Sequence, residues 1–232
     1  MCANYTPSKR SALPASFGVE PPAEDWKEEA FPGYLATIVR IAEDGSGDME
    51  SLNACFGLVP SWAELKLSRH TYNARSETVA SKPSFRHAVA KRQWCIVPAE
   101  SIFEPNYESG QAVRWRIARG DGAPLGIAGL WEWRPNGGPG DQPLMSFTML
   151  TINADDHPLM RRFHRPEDEK RMVVVLDESQ YRPWLETGID AMPNFLLPYP
   201  AERLVAEPAP RAASARKSTV KAPKVVPRSL FD

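Results

Sequence analysis

Short apolar segments rich in β-branched residues, separated by turn residues, are the feature of this sequence that most constrains its fold. Clusters of Gly, Pro and Asn interrupt these segments, most clearly over residues 134–141, and such clusters mark turns between strands. A long alternation of strands and helices, as a parallel sheet requires, is absent. We therefore predict an α+β fold: a single domain with a strongly bent, mostly antiparallel β-sheet that is barrel-like, and a few short helices.

The strand pattern falls on seven segments, which are residues 34–41, 94–97, 101–104, 113–117, 126–133, 146–152 and 172–176. Helical signals are fewer and fall on residues 76–80, 84–92 and 177–185. Asp177 is expected to cap the last of these helices, and Pro183 marks a break within it. We predict one domain over residues 1–206 and a basic, disordered tail over residues 207–232, where Ala, Pro, Ser, Lys and Arg dominate.

The composition argues against membrane, secreted, disulfide-bonded and zinc-binding classes of protein. No apolar run reaches the roughly 18 residues of a membrane span, and no basic segment followed by an apolar one resembles a secretory signal. The three cysteines, Cys2, Cys55 and Cys95, lack a CxxC spacing, which argues against a disulfide framework or a zinc site. We expect Cys55 and Cys95 to be buried apolar side chains and the compartment to be reducing, hence cytoplasmic.

The charge distribution is uneven although the net charge is only −1. Six of the 28 basic residues but only two of the 29 acidic residues lie in 207–232, which leaves 22 basic and 27 acidic residues in the body. A nucleic-acid site on the body must therefore be a local basic groove. We expect neither metal nor organic cofactor, because His70, His87, His157 and His164 lack metal-ligand spacing.

Cys2 is the residue with the most distinctive chemistry. Methionine aminopeptidases remove Met1 when the next side chain is small, and Cys2 would then carry a thiol and a free α-amine on one residue. Such a 1,2-aminothiol condenses with an aldehyde, first to an imine and then to a five-membered thiazolidine. The ordinary pKa values, about 8.5 for the thiol and about 8 for the amine, leave both groups usable near neutral pH. The alternative is that Cys2 has no role beyond following the start residue.

Three further segments hold polar residues in strand-like or turn-like surroundings, at Asn73, Glu104 and His164. Each has a structural alternative. Asn73 could cap a helix starting near Ser76, Glu104 could be a solvated strand end, and His164 could be a surface residue between arginines.

Taken together, six segments occur in the order seen in one known family. They are the Cys2 start, 56–62 (FGLVPSW), 73–77 (NARSE), 95–99 (CIVPA) with Phe103 and Glu104, 128–132 (AGLWE), and His164 with Arg171 and Met172. Over about residues 2–195 the chain resembles the SOS response-associated peptidase family, whose members process abasic sites in DNA. The resemblance implies an abasic site processing protein of the DNA-damage response.

That resemblance also implies a mechanism and roles. Family members form a covalent thiazolidine between the N-terminal cysteine and the ring-opened aldehyde of an abasic site in single-stranded DNA. Carried over, Cys2 is the nucleophile and Glu104 is the general acid and base, with its pKa raised towards neutral by burial. Asn73 holds the N-terminus and the deoxyribose, and His164 contacts sugar or phosphate oxygens and assists proton transfer. The family's peptidase activity exposes its cysteine, and here only Met1 precedes Cys2. Strand cleavage by a lyase step stays open.

Contacts to DNA are expected from exposed basic and aromatic side chains. The candidates are Asn4, Trp62, Arg75, Arg161, Arg162 and Arg165. For Trp62, core packing is an equal alternative. The start Cys-Ala-Asn departs from the family's usual Cys-Gly-Arg, which removes an arginine beside the nucleophile.

The C-terminal tail and the Cys2 start also allow other partners and functions. The tail adds electrostatic DNA affinity, and its Leu230-Phe231 pair resembles peptides that dock weakly on sliding clamps. We expect a monomer that associates with the nucleoid when on DNA, and no membrane partner. The alternatives are an N-terminal-nucleophile cysteine amidohydrolase, which would not need Glu104 or His164, and a non-covalent single-stranded DNA binder, for which Cys2→Ala would leave binding unchanged.

Overall fold

The structure is a computed structural model and describes residues 2–211. Within that range the strands are β1 (Tyr5–Pro7), β2 (Leu35–Ile41), β3 (Met49–Phe56), β4 (Asn73–Arg75), β5 (Trp94–Asn106), β6 (Val113–Arg119), β7 (Leu125–Arg134), β8 (Leu144–Asn153), β9 (Arg171–Val173), β10 (Val175–Leu176) and β11 (Leu204–Pro208). The α-helices in the same range are α1 (Ala12–Phe17), α2 (Arg86–Ala90) and α3 (Tyr181–Glu186). Short 3₁₀ turns span Leu65–Arg69, Pro139–Asp141, Met160–Arg162, Glu178–Gln180, Ile189–Phe195 and Ala201–Arg203.

All these strands belong to one sheet that curls until it meets itself. Its order is β10-β7-β8-β3-β2-β5-β6-β11, and β7 also pairs with β5, so β7, β8, β3, β2 and β5 form a ring of bonded strands. The pairings of β3 and β4 with β8 are parallel and the others are antiparallel. The predicted fold class, an α+β domain on a bent and mostly antiparallel sheet, is confirmed.

Strand β5 is the element that organises the sheet. Its 13 residues pair with β1, β2, β6 and β7. The two segments predicted at 94–97 and 101–104 are therefore one continuous strand. At one end of it Trp184 of α3 packs 5.0 Å from Trp94, centroid to centroid, and donates from Nε1 to the main-chain oxygen of Cys95 at 2.8 Å. Cys55 and Cys95 are both buried, as expected.

Most of the other predicted strands are confirmed, and the other predicted helices are wrong or shorter than predicted. Strands predicted at 34–41, 113–117, 126–133 and 146–152 are present as β2, β6, β7 and β8. The segment 172–176 is divided into β9 and β10, which pair with β8 and β7. The helix predicted at 76–80 is wrong. Those residues form turns, because Asn73–Arg75 is held in β4 and Ser76 donates its main-chain N–H to Thr151 of β8. The helix predicted at 84–92 is reduced to α2.

The predicted cap at Asp177 is confirmed, but the element it caps is the 3₁₀ turn Glu178–Gln180; the N-cap of α3 is Gln180, and Pro183 lies within α3 without breaking it. Asp177 and Gln180 form a reciprocal capping box around the turn Glu178–Gln180, and α3 follows directly. Such a box satisfies main-chain N–H groups that the first helical turn would otherwise leave unpaired.

The segment predicted as a tail begins inside the sheet. Glu207 and Pro208 belong to β11, which pairs with β6, and Ala209 donates its main-chain N–H to the oxygen of Arg114 at 2.8 Å. Residues 212–232, including the Leu230-Phe231 pair, lie outside the described residues. Within 2–211, no helix has the length and apolar character needed to cross a membrane.

Candidate active site

Four of the predicted site residues lie together, although they come from distant parts of the sequence. The pairing of β1 with β5 matches Tyr5 with Ile102, which carries the preceding Cys2 to the Glu104 region of β5. Asn73 opens β4 and donates from Nδ2 to the main-chain oxygen of Cys2 at 3.1 Å. His164 follows the turn Met160–Arg162, and its Nε2 lies 3.1 Å from Oε2 of Glu104. The site is therefore assembled by the sheet rather than by any one segment.

The site is well shielded from solvent. Cys2 and Glu104 are 1% and 2% exposed, and Asn73 is 8% exposed. The side chain of His164 is 11% exposed and forms the edge of the group. In such surroundings charge interactions are stronger than in water, so the ionisation of one member affects the others.

The Cys2 thiol is held mainly in its protonated form. Its Sγ lies 3.5 Å from the main-chain oxygen of Asn4. Burial raises the pKa of this thiol far above its ordinary value, and the Glu104 carboxylate raises it further by repulsion, while the positive charge of the chain's amino terminus opposes the rise. Burial therefore disfavours the Cys2 thiolate most, and the charge at Glu104 adds to that effect.

The side chain of Asn73 uses its donor group but leaves its acceptor atom, Oδ1, unpaired within the described residues. Its Nδ2 group also donates to the main-chain oxygen of Tyr72 at 2.7 Å, so its donors are used. Its buried Oδ1 has no hydrogen-bond partner among residues 2–211, and an unpaired buried acceptor carries a free-energy cost. The alternative, a helix cap, is not what is found, because Asn73 lies in a strand. Its Oδ1 is available to a nearby ammonium or hydroxyl group.

His164 is fixed by an unusual backbone conformation. Its φ is +64°, in the left-handed region that non-glycine residues rarely adopt. Its main-chain N–H donates to the oxygen of Pro105 at 2.7 Å, and Asn106 donates from Nδ2 to the oxygen of Arg162 at 3.0 Å. These bonds tie the His164 loop to the end of β5 and direct the imidazole towards Glu104. His164 is therefore not a free surface residue.

Two of the motifs found in the sequence meet beside β4. Arg171 is buried and donates to both carboxylate oxygens of Glu77, at 2.7 and 2.9 Å, and to the main-chain oxygen of Thr151 at 2.7 Å. Glu169 accepts from Arg171 at 2.8 Å and from Arg75 at 2.6 Å. This network holds the strand that carries Asn73 against its neighbours.

The predicted DNA-contact residues differ in their exposure and in their partners. Trp62 is 65% exposed, which excludes the core-packing alternative. Arg162 makes a bidentate pair with Glu108 at 2.9 Å, and Arg165 lies over the ring of Tyr107. Arg161 is exposed. One groove is bordered by three cations and the imidazole, and also by two carboxylates: Arg161, Arg162, Lys170, His164, Glu108 and Asp155.

Asn4 differs from the others because it is turned into the protein. Its Oδ1 accepts from Arg114 Nη2 at 2.8 Å and from Arg211 Nη2 at 3.3 Å. Its Nδ2 donates to Glu29 Oε2 at 3.2 Å and to the main-chain oxygen of Ala30 at 3.3 Å. Asn4 thus braces the segment after Cys2. Arg114 and Glu29 were not found from the sequence, since only the β5–β6 register, which matches Pro105 with Arg114, places that arginine here.

Within residues 2–211, no three His, Cys, Asp or Glu side chains are grouped as a metal site would require. The side chains that do lie together at the site supply a thiol, a carboxylate, an imidazole and an amide. These groups can attack a carbonyl carbon, transfer protons to and from it, and hold the attacking residue in place.

The fold and the grouped residues define a ring-shaped α+β domain with a buried cysteine, carboxylate, imidazole and amide at one site. The profile of one family, described as SOS response associated peptidase (SRAP), matches residues 1–214. The chain belongs to the SRAP family.

Relatives and solved structures agree with that membership. The chain is 32% identical to the abasic site processing protein YoaM of Bacillus subtilis over 190 residues, which is 78% of each chain. It is 26% identical to the abasic site processing protein HMCES of Xenopus tropicalis over 200 residues, 75% of this chain and 57% of the relative. A crystal structure of a Bordetella bronchiseptica protein is 40% identical, with a TM-score of 0.81 over 90% of this chain and 99% of that chain.

Proposed function

We propose that this protein captures abasic sites in single-stranded DNA by forming a thiazolidine between Cys2, once Met1 has been removed, and the aldehyde of the ring-opened deoxyribose. The observation that supports it most is the grouping of Cys2, Asn73, Glu104 and His164 at one buried site. The chain's membership of the SRAP family and the names of its relatives point to the same damaged substrate.

The reaction balances without an oxidant or reductant. The uncharged α-amine of Cys2 attacks C1′ of the aldehyde, the resulting carbinolamine oxygen takes up a proton, and water leaves to give an imine. Sγ then adds to the same carbon while its proton passes to the imine nitrogen. One C–N and one C–S bond replace the C=O bond, and one water molecule is released.

The raised thiol pKa favours this order of events. Burial raises the pKa of the Cys2 thiol above its ordinary value, whereas an ordinary α-amine has a pKa near 8 and is partly uncharged at neutral pH. The amine therefore attacks first. The thiol adds in the second step, when a neighbouring base accepts its proton.

Glu104 is the group placed to move these protons. In our proposal it opens the sugar hemiacetal, protonates the departing oxygen and then accepts the thiol proton. His164, 3.1 Å away, passes protons to and from the carboxyl group and contacts the sugar or its phosphate. Positioned acids and bases of this kind contribute about 10²- to 10⁴-fold to a rate.

Asn73 orients the reacting residue. Its Nδ2 holds the main chain of Cys2, and its unpartnered Oδ1 accepts a hydrogen bond from the α-amine or from a sugar hydroxyl. This restricts the attack of the amine to one direction, and orientation is a large part of the advantage of a bound reaction over one in solution.

In this proposal the single-stranded DNA is held by exposed side chains of the protein. We propose that Arg75, Arg161, Arg162 and Arg165 contact phosphates, which makes binding depend on salt, and that Trp62 stacks on a base. The basic residues of 212–232 add affinity. We further propose that the protein is a cytoplasmic monomer of the DNA-damage response, that it associates with the nucleoid when on DNA, and that its tail contacts a sliding clamp weakly. Lyase activity and self-cleavage at the N-terminus are not needed for capture.

The test is a denaturing gel of the full chain, with its N-terminus defined by mass spectrometry, incubated with single-stranded DNA that carries one abasic site. Wild type should give a slow-migrating covalent band, and Cys2→Ala should give none. A band in both would identify another nucleophile, such as a lysine. Absence of a band from protein that begins at Cys2 would overturn the capture proposal and favour the passive binder or the amidohydrolase.

A further inference from the structure

A second group of cations lies on the Asn4 side of the site, away from the arginines proposed above. Arg114 of β6 and Arg211 border a groove together with Phe31, Phe103 and Glu104. The Arg114 guanidinium lies 3.3 Å from the centroid of the Phe103 ring. The Arg211 guanidinium lies 4.7 Å from that of Phe31. Two guanidinium groups resting on aromatic rings thus border a groove that reaches Glu104.

One acidic side chain holds both arginines. Glu29 accepts from Arg114 Nη2 at 2.8 Å through Oε1, and from Arg211 Nη2 at 2.9 Å through Oε2. Asn4 Nδ2 donates to the same Oε2 at 3.2 Å. Burial alone would raise the pKa of Glu29, but the hydrogen bonds from Arg114 and Asn4 outweigh it and hold that pKa below its ordinary value. Glu29 is thus an anion that accepts hydrogen bonds from two guanidinium groups and an amide.

These contacts are those of an oxyanion with several acceptor oxygens. A phosphodiester carries the same single charge as the carboxylate, and arginine pairs bind phosphate and carboxylate in similar bidentate ways. The side chain of Glu29 is 35% exposed, so it can turn out to solvent. Its main chain stays fixed, because Ala30 and Tyr5 exchange two main-chain hydrogen bonds, at 2.9 and 3.3 Å.

We propose that Arg114 and Arg211 form a phosphate-binding subsite for single-stranded DNA, and that Glu29 occupies this subsite until a backbone phosphate displaces it. The inference rests on the proposed function for the identity of the strand. The Glu104–His164 pair then lies between two cationic grooves, with Arg161, Arg162 and Lys170 on one side and Arg114 and Arg211 on the other. A strand bound in both grooves presents the sugar between them to Cys2.

The experiment measures the binding of fluorescein-labelled, undamaged single-stranded DNA to the full chain by anisotropy at several salt concentrations. Glu29→Gln removes the competing charge and keeps the size of the side chain, so it should tighten binding about three- to tenfold. Arg211→Ala, at the end of the described chain, should weaken binding by a similar factor and lower the salt slope by about 0.7. Matched controls are Glu28→Gln, which removes the neighbouring exposed charge, and Arg182→Ala on α3, which removes an arginine paired with Glu186.

The outcomes separate this subsite from the capture chemistry. The subsite is supported if Glu29→Gln tightens binding and Glu28→Gln does not, and if Arg211→Ala weakens binding and Arg182→Ala does not. This result would support the subsite even where no Cys2-dependent band forms with abasic DNA. Equal effects of Glu29→Gln and Glu28→Gln, or of Arg211→Ala and Arg182→Ala, would overturn the subsite and leave the capture chemistry standing. Unchanged or weaker binding by Glu29→Gln would overturn it as well.

Discussion

The side chain of Asn73 donates a hydrogen bond to the main-chain oxygen of Cys2 at 3.1 Å, across 71 positions of sequence. Cys2 has no regular structure of its own, since β1 begins only at Tyr5. The orientation of Cys2 therefore depends on a strand formed much later in the chain. This dependence gives the first prediction.

Asn73→Ala should slow adduct formation with abasic single-stranded DNA by about a hundredfold, because a misplaced reacting group loses about that factor. Binding of undamaged DNA should change little. The matched control is Asn53→Ala, which removes a strand asparagine that bonds Thr37 and the main chain of Glu24 away from the site. Rates come from the growth of the covalent band with time. Equal slowing by both variants would mean that Asn73 supports only the fold.

Glu104→Gln should have opposite effects on two reactions of Cys2. Adduct formation should slow by about 10²-fold or more, because proton transfer is lost. Alkylation of Cys2 by iodoacetamide should become faster, because removing the carboxylate removes a repulsion that raises the thiol pKa.

The rate of Cys2 alkylation as a function of pH shows the direction in which the thiol pKa moves. Thiolate increases with pH, so alkylation of wild-type Cys2 should still be rising above pH 9, and the Glu104→Gln curve should move to lower pH. Cys95 is an internal control in the same mass spectrum, since the rise in its pKa comes from burial and owes nothing to Glu104. A Glu104→Gln curve that coincides with wild type would contradict the proposed coupling.

His164→Gly should separate chemistry from stability. Glycine adopts a φ of +64° without the strain that a side chain brings, so this variant should melt no lower than wild type while adduct formation falls about a hundredfold. His164→Val should also lose activity but should melt several degrees lower, because a β-branched residue is strained in the left-handed region. Thermal melts followed by circular dichroism make the comparison. Lower melting of the Gly variant would mean that the imidazole mainly stabilises the loop.

Trp62→Ala should weaken binding of undamaged single-stranded DNA by about 1–3 kcal/mol, the usual value of one base stacked on an aromatic ring. The melting temperature should stay the same, because the side chain is 65% exposed. Trp133→Ala is the control, since Trp133 is the other strongly exposed tryptophan of the described chain, at 47%. Anisotropy titrations at fixed salt measure both variants. Equal losses for the two tryptophans would contradict a specific stacking role.

Elements whose sequence itself favours a strand were predictable, and elements that depend on a partner strand were not. β2 and β8 are rich in apolar and β-branched residues, and β7 is rich in apolar and aromatic residues. By contrast β3 contains Glu50, Asn53 and Ala54, which strands disfavour, and it forms because β2 pairs with it along its whole length. The three-residue strands β1 and β4 depend on distant partners: β1 pairs with β5 and bonds to Ala30, and β4 pairs with β8.

The grouping of four predicted residues could be expected from the sequence, but most of their contacts could not. The resemblance to a family supplied Cys2, Asn73, Glu104 and His164, and these four do lie together. The contact of Asn4 with Arg114 and Glu29 joins three separate segments, so no local pattern reports it. The left-handed conformation of His164 also has no local signal, because no glycine or asparagine stands there.

The pairing of β1 with β5 limits the time during synthesis for which the N-terminus is accessible. Tyr5 also bonds to Ala30, but its partner in the sheet, Ile102, leaves the ribosome only later, after roughly 5–20 s at the usual elongation rates. During that interval the N-terminus is open to a cellular aminopeptidase. Once β5 is in place Cys2 is 1% exposed, and the same enzyme would have to act on a closed site. Slow or inefficient processing in the nascent chain would therefore leave a lasting fraction of folded protein without the free amine that capture requires.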